Sequence, residues 1–129
     1  MNLNTVITIF CKLSGISPIY QSDYIDIIKS AYYYLSNRLL KPADEYTDEE
    51  LEELAYAAAC IAFYNYNTVI YSRENRFLSE SGAFVSESGA FVSESENSLR
   101  LKSSALMMNM AVKSVRHLID DDDFIFSKI

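Results

Sequence analysis

His117, Cys11, Cys60 and the run Asp120 to Asp123 are the residues from which a reactive site would have to be built. His117 is the only histidine, so a two-histidine metal motif of the HExxH kind is excluded, and no Ser-His-Asp pattern is recognisable around it. Its place at the end of an apolar-periodic stretch suits a cation at a helix C-terminus, where the helix dipole favours positive charge. Cys11 and Cys60 stand apart in apolar stretches and neither belongs to a CxxC pair. They read as buried thiols acting as small hydrophobes, not as a zinc site or a disulfide framework, which suits a reducing cytoplasm. Consecutive aspartates lack the alternating oxygen ligands and loop glycine of a calcium site, so Asp120 to Asp123 reads as a solvated acidic turn. Gly15, Gly82 and Gly89 are isolated and form no phosphate-cradling loop. Any two acids can meet in space, but nothing in the sequence selects a pair. The expectation is no catalytic group, no cofactor and no metal.

Charge narrows the partners. Eleven basic and 18 acidic residues give a net charge of −7, which repels nucleic acid, so no sequence-specific nucleic-acid binding is expected. The opening "MNLNTVITIFCKL" has no basic leader and is broken by Lys12, and it is too short to span a bilayer. A soluble protein with no membrane partner is expected. Half of the residues are apolar and only two are proline, which favours long helices in one domain covering 1–129.

The elements follow from spacing. Leu3, Val6, Phe10 and Leu13 step at helical intervals until Gly15 stops them. A second helix is expected from the N-cap pair Ser22-Asp23, with stripes Ile25, Ile28, Tyr32, Leu35, Leu39 and Tyr24, Ile27, Ala31, Tyr34, closed by Lys41-Pro42. Thr47 and Glu50 fit a capping box, and Asp48 to Glu53 crowd acids where the dipole favours them. The Ala-rich run Ala55 to Ala62 is apolar nearly all round, the pattern of a central helix. A span from Asp48 to about Tyr71 makes this helix roughly 36 Å long. Helical spacing then fades from Arg73 to Ser98. Leu99 opens a fourth helix with the stripe Leu101, Ala105, Met108, Val112, Val115, Ile119, and Lys113, Arg116 and His117 in its final turns. The expected fold is all-α, a small four-helix domain with a long central third helix.

Between helices three and four, "SESGAFVSESGAFVSESE" carries Ser-Glu-Ser-Gly-Ala-Phe-Val twice. Ala83-Phe84-Val85 and Ala90-Phe91-Val92 are β-prone, and Ser86 to Gly89 suits a hairpin loop. A lone two-stranded ribbon is marginal in water and needs a surface. Residues 79–96 are therefore expected to protrude as an assembly arm, with Phe84, Val85, Phe91 and Val92 as contacts, becoming ordered on assembly. A solvated loop left by repeat slippage is the plain alternative. Ten tyrosines, among them Tyr32-Tyr33-Tyr34, exceed what a small core can bury with every hydroxyl satisfied, so Tyr33 is a further interface candidate. The tail 120–129 ends in Phe124 and Phe126, which are expected to dock while the aspartates stay in water.

The Ala/aromatic helix "ELAYAAACIAFYNYN", the ending "AVKSVRHLIDDDDFIFSKI" and the loop "SGAFVSESGAFVSES" between them resemble, in order and layout over roughly residues 20–129, head–tail connector (adaptor) proteins of tailed bacteriophages. The resemblance implies a ring of subunits beneath the portal protein that extends the DNA channel and seats a tail-completion protein. It implies self-association through the loop and tail, a non-enzymatic role, and a path from host cytoplasm to the virion neck. The doubled repeat departs from the family layout. The rival expectation is a small acidic helical regulator that binds one host protein through its tyrosine-rich face.

Overall fold

The computed structural model describes residues 1–81 and 96–120. Helix α1 is Leu3–Ser14. The Asn2 side chain caps it by accepting the Asn4 N–H at 2.7 Å. Gly15 ends it with φ 76°, a left-handed conformation natural to glycine, while its N–H reaches the Cys11 carbonyl at 2.9 Å. Val6, Ile7, Phe10 and Cys11 form its buried face.

Pro18–Asp23 is a 3₁₀ turn, and helix α2 is Ile25–Ser36. Ser22 and Asp23 therefore do not cap α2 as expected. They are consumed by the turn that Pro18 opens, where the Ser17 hydroxyl accepts the Ile19 N–H at 3.5 Å. Tyr24 takes the N-cap position without a side-chain cap and packs its ring on Phe10 and Tyr66 instead. Helix α2 also ends earlier than Lys41-Pro42. The Asn37 N–H closes it on the Tyr33 carbonyl at 3.0 Å, and Leu39 leaves the helix to form an antiparallel bridge with Ile119. The half-buried Leu39 reaches the core from extended backbone rather than from a helix face.

Helix α3 is Asp48–Ser81, 34 residues and about 51 Å long. Its capping box forms as the sequence indicates: Thr47 N–H to Glu50 Oε1 at 2.9 Å, and Glu50 N–H to Thr47 Oγ1 at 3.1 Å. The expected end near Tyr71 is corrected, because the backbone stays helical through Arg73 to Ser81. No proline or glycine interrupts the chain between Thr47 and Gly82, and polar composition alone does not stop a helix. Helix α4 is Glu96–Ser114, opening three residues before Leu99, and a 3₁₀ turn Arg116–Leu118 follows it. Ile119 thus meets the core from the bridge, not from the helix. Residues 79–81 and Glu96 of the expected arm are helical, whereas Phe84, Val85, Phe91 and Val92 lie outside the described residues.

Helices α1, α2 and α4 all pack on α3. Leu54, Ala55 and Ala57 to Phe63 are buried in an unbroken core with Phe10, Ile28, Leu35, Met108, Val112 and Val115. The fold is all-helical, with four α-helices and no strand longer than the one bridge among the described residues. Ala58 is fully buried at the middle of the core-facing run of α3. Ala58→Asp places an unpaired charge there at a cost of several kcal/mol and should unfold the domain. Circular dichroism and thermal melting check this; a soluble variant with unchanged melting would contradict a central α3.

Candidate interaction surface

The described chain ends at a junction organised by Tyr46. Its ring is buried, and its hydroxyl donates to the Leu118 carbonyl at 2.6 Å while accepting the Leu40 N–H at 3.1 Å. The Asp120 N–H reaches the Arg38 carbonyl at 2.7 Å, so residues 38–40 and 118–120 are held side by side. The Lys41 ammonium lies 4.8 Å from the Tyr46 ring centroid. Beside it is an open hollow of about 250 Å³ lined by Leu40, Lys41, Tyr46, Glu50, His117 and Leu118. His117 is exposed in the 3₁₀ turn rather than in the last turn of a helix. The Glu50 carboxyl is held below its ordinary value of 4.5, first by the Thr47 backbone N–H, with smaller help from Lys41, the Thr47 hydroxyl and His117. The hollow sets Lys41 and His117 around the Glu50 carboxyl. From Asp120 the chain enters the acidic run, and Phe124 and Phe126 lie outside the described residues.

The tyrosines divide by position. Tyr24, Tyr66 and Phe10 form an edge-on cluster joining α1, the start of α2 and α3, with centroids at 5.2 Å for Tyr24–Tyr66 and 5.8 Å for Phe10–Tyr66. Burial, with Tyr24 alongside, pushes the Tyr66 hydroxyl above its ordinary pKa. Tyr32 and Tyr34 are half-buried, whereas Tyr33 is 53% exposed and touches Tyr32 edge-on at 5.2 Å. Tyr33 is therefore accessible on α2, as an interface candidate must be. Tyr56 stands exposed on α3, one turn before the buried Cys60, and the Cys60 thiol together with partial burial pushes the Tyr56 hydroxyl above its ordinary pKa.

Helix α4 presents a face that the core stripe does not account for. Its inner stripe Met108 and Val112 is buried as expected, with Leu101 and Ala105 half-buried, and Val115, just past the helix end, is buried too. Leu99, Leu106 and Met110 lie on the opposite side and are 51%, 63% and 64% exposed. The signal for them is present in the sequence: apolar residues at 99, 106 and 110 fall outside the core stripe, and a helix with one buried face has no core use for them.

Cys11 and Cys60 are free and buried, and burial pushes both thiols up, away from the reactive thiolate. Among the described residues no three of His, Cys, Asp and Glu gather as metal ligands, and no helix is long and apolar enough to cross a membrane. No family model, no curated protein and no solved structure matches this chain.

The Thr47–Glu50 box fixes a pH response with a definite sign. A carboxyl whose folded pKa is depressed contributes stability that is complete above its unfolded value and drains away as pH falls through the folded one. Between about pH 5 and pH 3 the native chain should lose stability that a Glu50→Ala variant no longer has to lose, so the two denaturation curves converge on acidification. Chemical denaturation across that range checks this; a constant gap between the curves would contradict it.

Proposed function

We propose that this chain is a structural subunit of a tailed-phage head–tail connector, assembling as a ring below the portal, extending the DNA channel and seating a tail-completion protein. The observation that carries the reading is the length of α3. Among its described side chains the last buried position is Asn67, yet the helix continues to Ser81, about 21 Å further. The Ser-Glu-Ser-Gly-Ala-Phe-Val repeat is attached at the far end of it and returns through Glu96 into α4. An arm of that reach is useful to a protein that must touch a neighbour.

One further feature fits an assembly role. The net charge of −7 suits a channel wall along which DNA slides without adhering. The ring is formed in the host cytoplasm and ends in the virion neck, with the repeat and the Phe124–Phe126 ending as the contacts to neighbouring copies or portal.

Sedimentation velocity and native mass spectrometry on the full chain test the ring. A closed multimer is expected, alone or on addition of a portal ring; a monomer under both conditions would overturn it. Deleting residues 124–129 should weaken self-association or portal binding about tenfold or more and leave helix content unchanged. Equal binding by the shortened chain would remove the tail from the interface.

A further inference from the structure

The exposed apolar side of α4 coincides with a segregation of charge. From Asn97 to Ile119 the sequence contains Arg100, Lys102, Lys113 and Arg116 and no acid. From Asp44 to Glu53 it contains seven acids and no base. On α4, Leu99, Leu106 and Met110 fall within about 40° of one another around the helix, and Lys102 and Lys113 lie within about 40° of Leu106. The outward face is thus an apolar stripe with lysines along it. On α3, Glu49, Glu52, Glu53 and Tyr56 are spaced at three, four and seven residues and form one exposed stripe. With Ser114 they line an open hollow of about 370 Å³. Tyr56, 42% exposed, contributes an aromatic surface to it.

Each stripe has what the other lacks. An apolar ridge carrying lysines fits an acidic hollow with an aromatic in its wall, because the apolar atoms leave water together while opposite charges meet at the rim. We propose that the outer face of α4 is a self-association surface, and that its occupant is the Glu49-Glu52-Glu53-Tyr56 stripe of a second copy of this chain. The inference rests on the assembly reading above in requiring self-association, but it names a different contact from the repeat and the tail. Leu106 and Met110 seat beside Tyr56, and Lys113 pairs with Glu53 and its neighbours. Net repulsion between two copies of charge −7 is screened beyond roughly 8 Å at physiological salt, so the local pairing governs the contact.

Charge reversal on the full chain tests this. Lys113→Glu and Glu53→Lys are each expected to weaken self-association about tenfold or more in sedimentation velocity. An equimolar mixture of the two variants should recover it. At one contact the introduced glutamate then meets the introduced lysine, and at the other the retained Lys113 meets the retained Glu53. Leu106→Ser should also weaken association while leaving the melting temperature of the dissociated chain unchanged. If both reversed variants associate like the native chain, the surface is wrong; if they do so as an intact ring, the ring reading survives without it. A native chain that forms only a two-copy species, broken by either reversal and restored by mixing, keeps the surface and overturns the ring. A native chain that is monomeric at every concentration overturns the proposal. So does a monomer destabilised by Leu106→Ser, since another part of the same chain would then be the cover.

Discussion

The structure depends on how closely three helices approach α3. From Ala55 to Ala62 that helix offers alanine at five positions, with Cys60 and Ile61 among them, and all of these are buried. Alanine contributes little transfer free energy of its own, so α3 acts mainly as a spacer of small radius. The bulk comes from outside: Phe10 from α1, Ile28 and Leu35 from α2, Met108 and Val112 from α4, and Val115 just after it. Small residues on the central rod and large ones on its neighbours let side chains interdigitate at short axis separation. A larger side chain on the rod would push a neighbour away and open gaps on either side of it. Helices α1 and α2, with 12 residues each, have too few turns to be stable alone and owe their persistence to this packing.

A second dependency follows where helices stop. Between α2 and α3, and after α4, the backbone must find partners outside any helix. Tyr46 resolves both places at once, accepting from Leu40 and donating to Leu118 with one hydroxyl. The Leu39–Ile119 bridge then satisfies groups that would otherwise be left half-covered against the core. The C-terminal segment consequently starts from a fixed point next to Lys41 and Glu50. Glu50 belongs to the capping box and also lines the hollow beside Tyr46, so the start of α3, the chain after α2 and residues 117–118 meet at one place.

Local chemistry makes much of this legible in residue types. The Gly15 stop, the Thr47–Glu50 box and the nearly all-round burial of α3 each rest on a few adjacent residues. Features that spacing misplaces depend on tertiary competition. Ser22-Asp23 is a strong cap by type, but Pro18 opens a turn that reaches it first, and Tyr24 packs its ring on Phe10 and Tyr66 at the N-cap position. Leu39 fits a helical stripe by spacing, yet pairing with Ile119, 80 positions away, draws it into extended backbone. The run of α3 to Ser81 is hidden because its polar second half lacks apolar periodicity, although only glycine or proline would enforce an ending. The outer stripe of α4 is overshadowed by the stronger inner one. Tyr33 is accessible on α2, while the repeat and tail phenylalanines fall outside the described residues.

Charge placement links the fold to the surface. Acids crowd the first turns of α3, where the unpaired N–H groups and the helix dipole stabilise them. The compensating bases are not interleaved on the same turns at i+4, the arrangement that would neutralise α3 locally. They are gathered on α4, together with apolar side chains that the core does not use. Within a single chain the helix dipole already favours acids at the start of α3, and surface ion pairs within one helix would add little. Segregation gains value when the charges must be read by something else. Lys113 lies at the end of α4 where Ser114 borders the acidic hollow of α3, so that end of the bundle carries both signs of charge. Under the proposed self-association two copies meet through these surfaces, and the alanine rod that spaces α4 from α3 sets the separation between them.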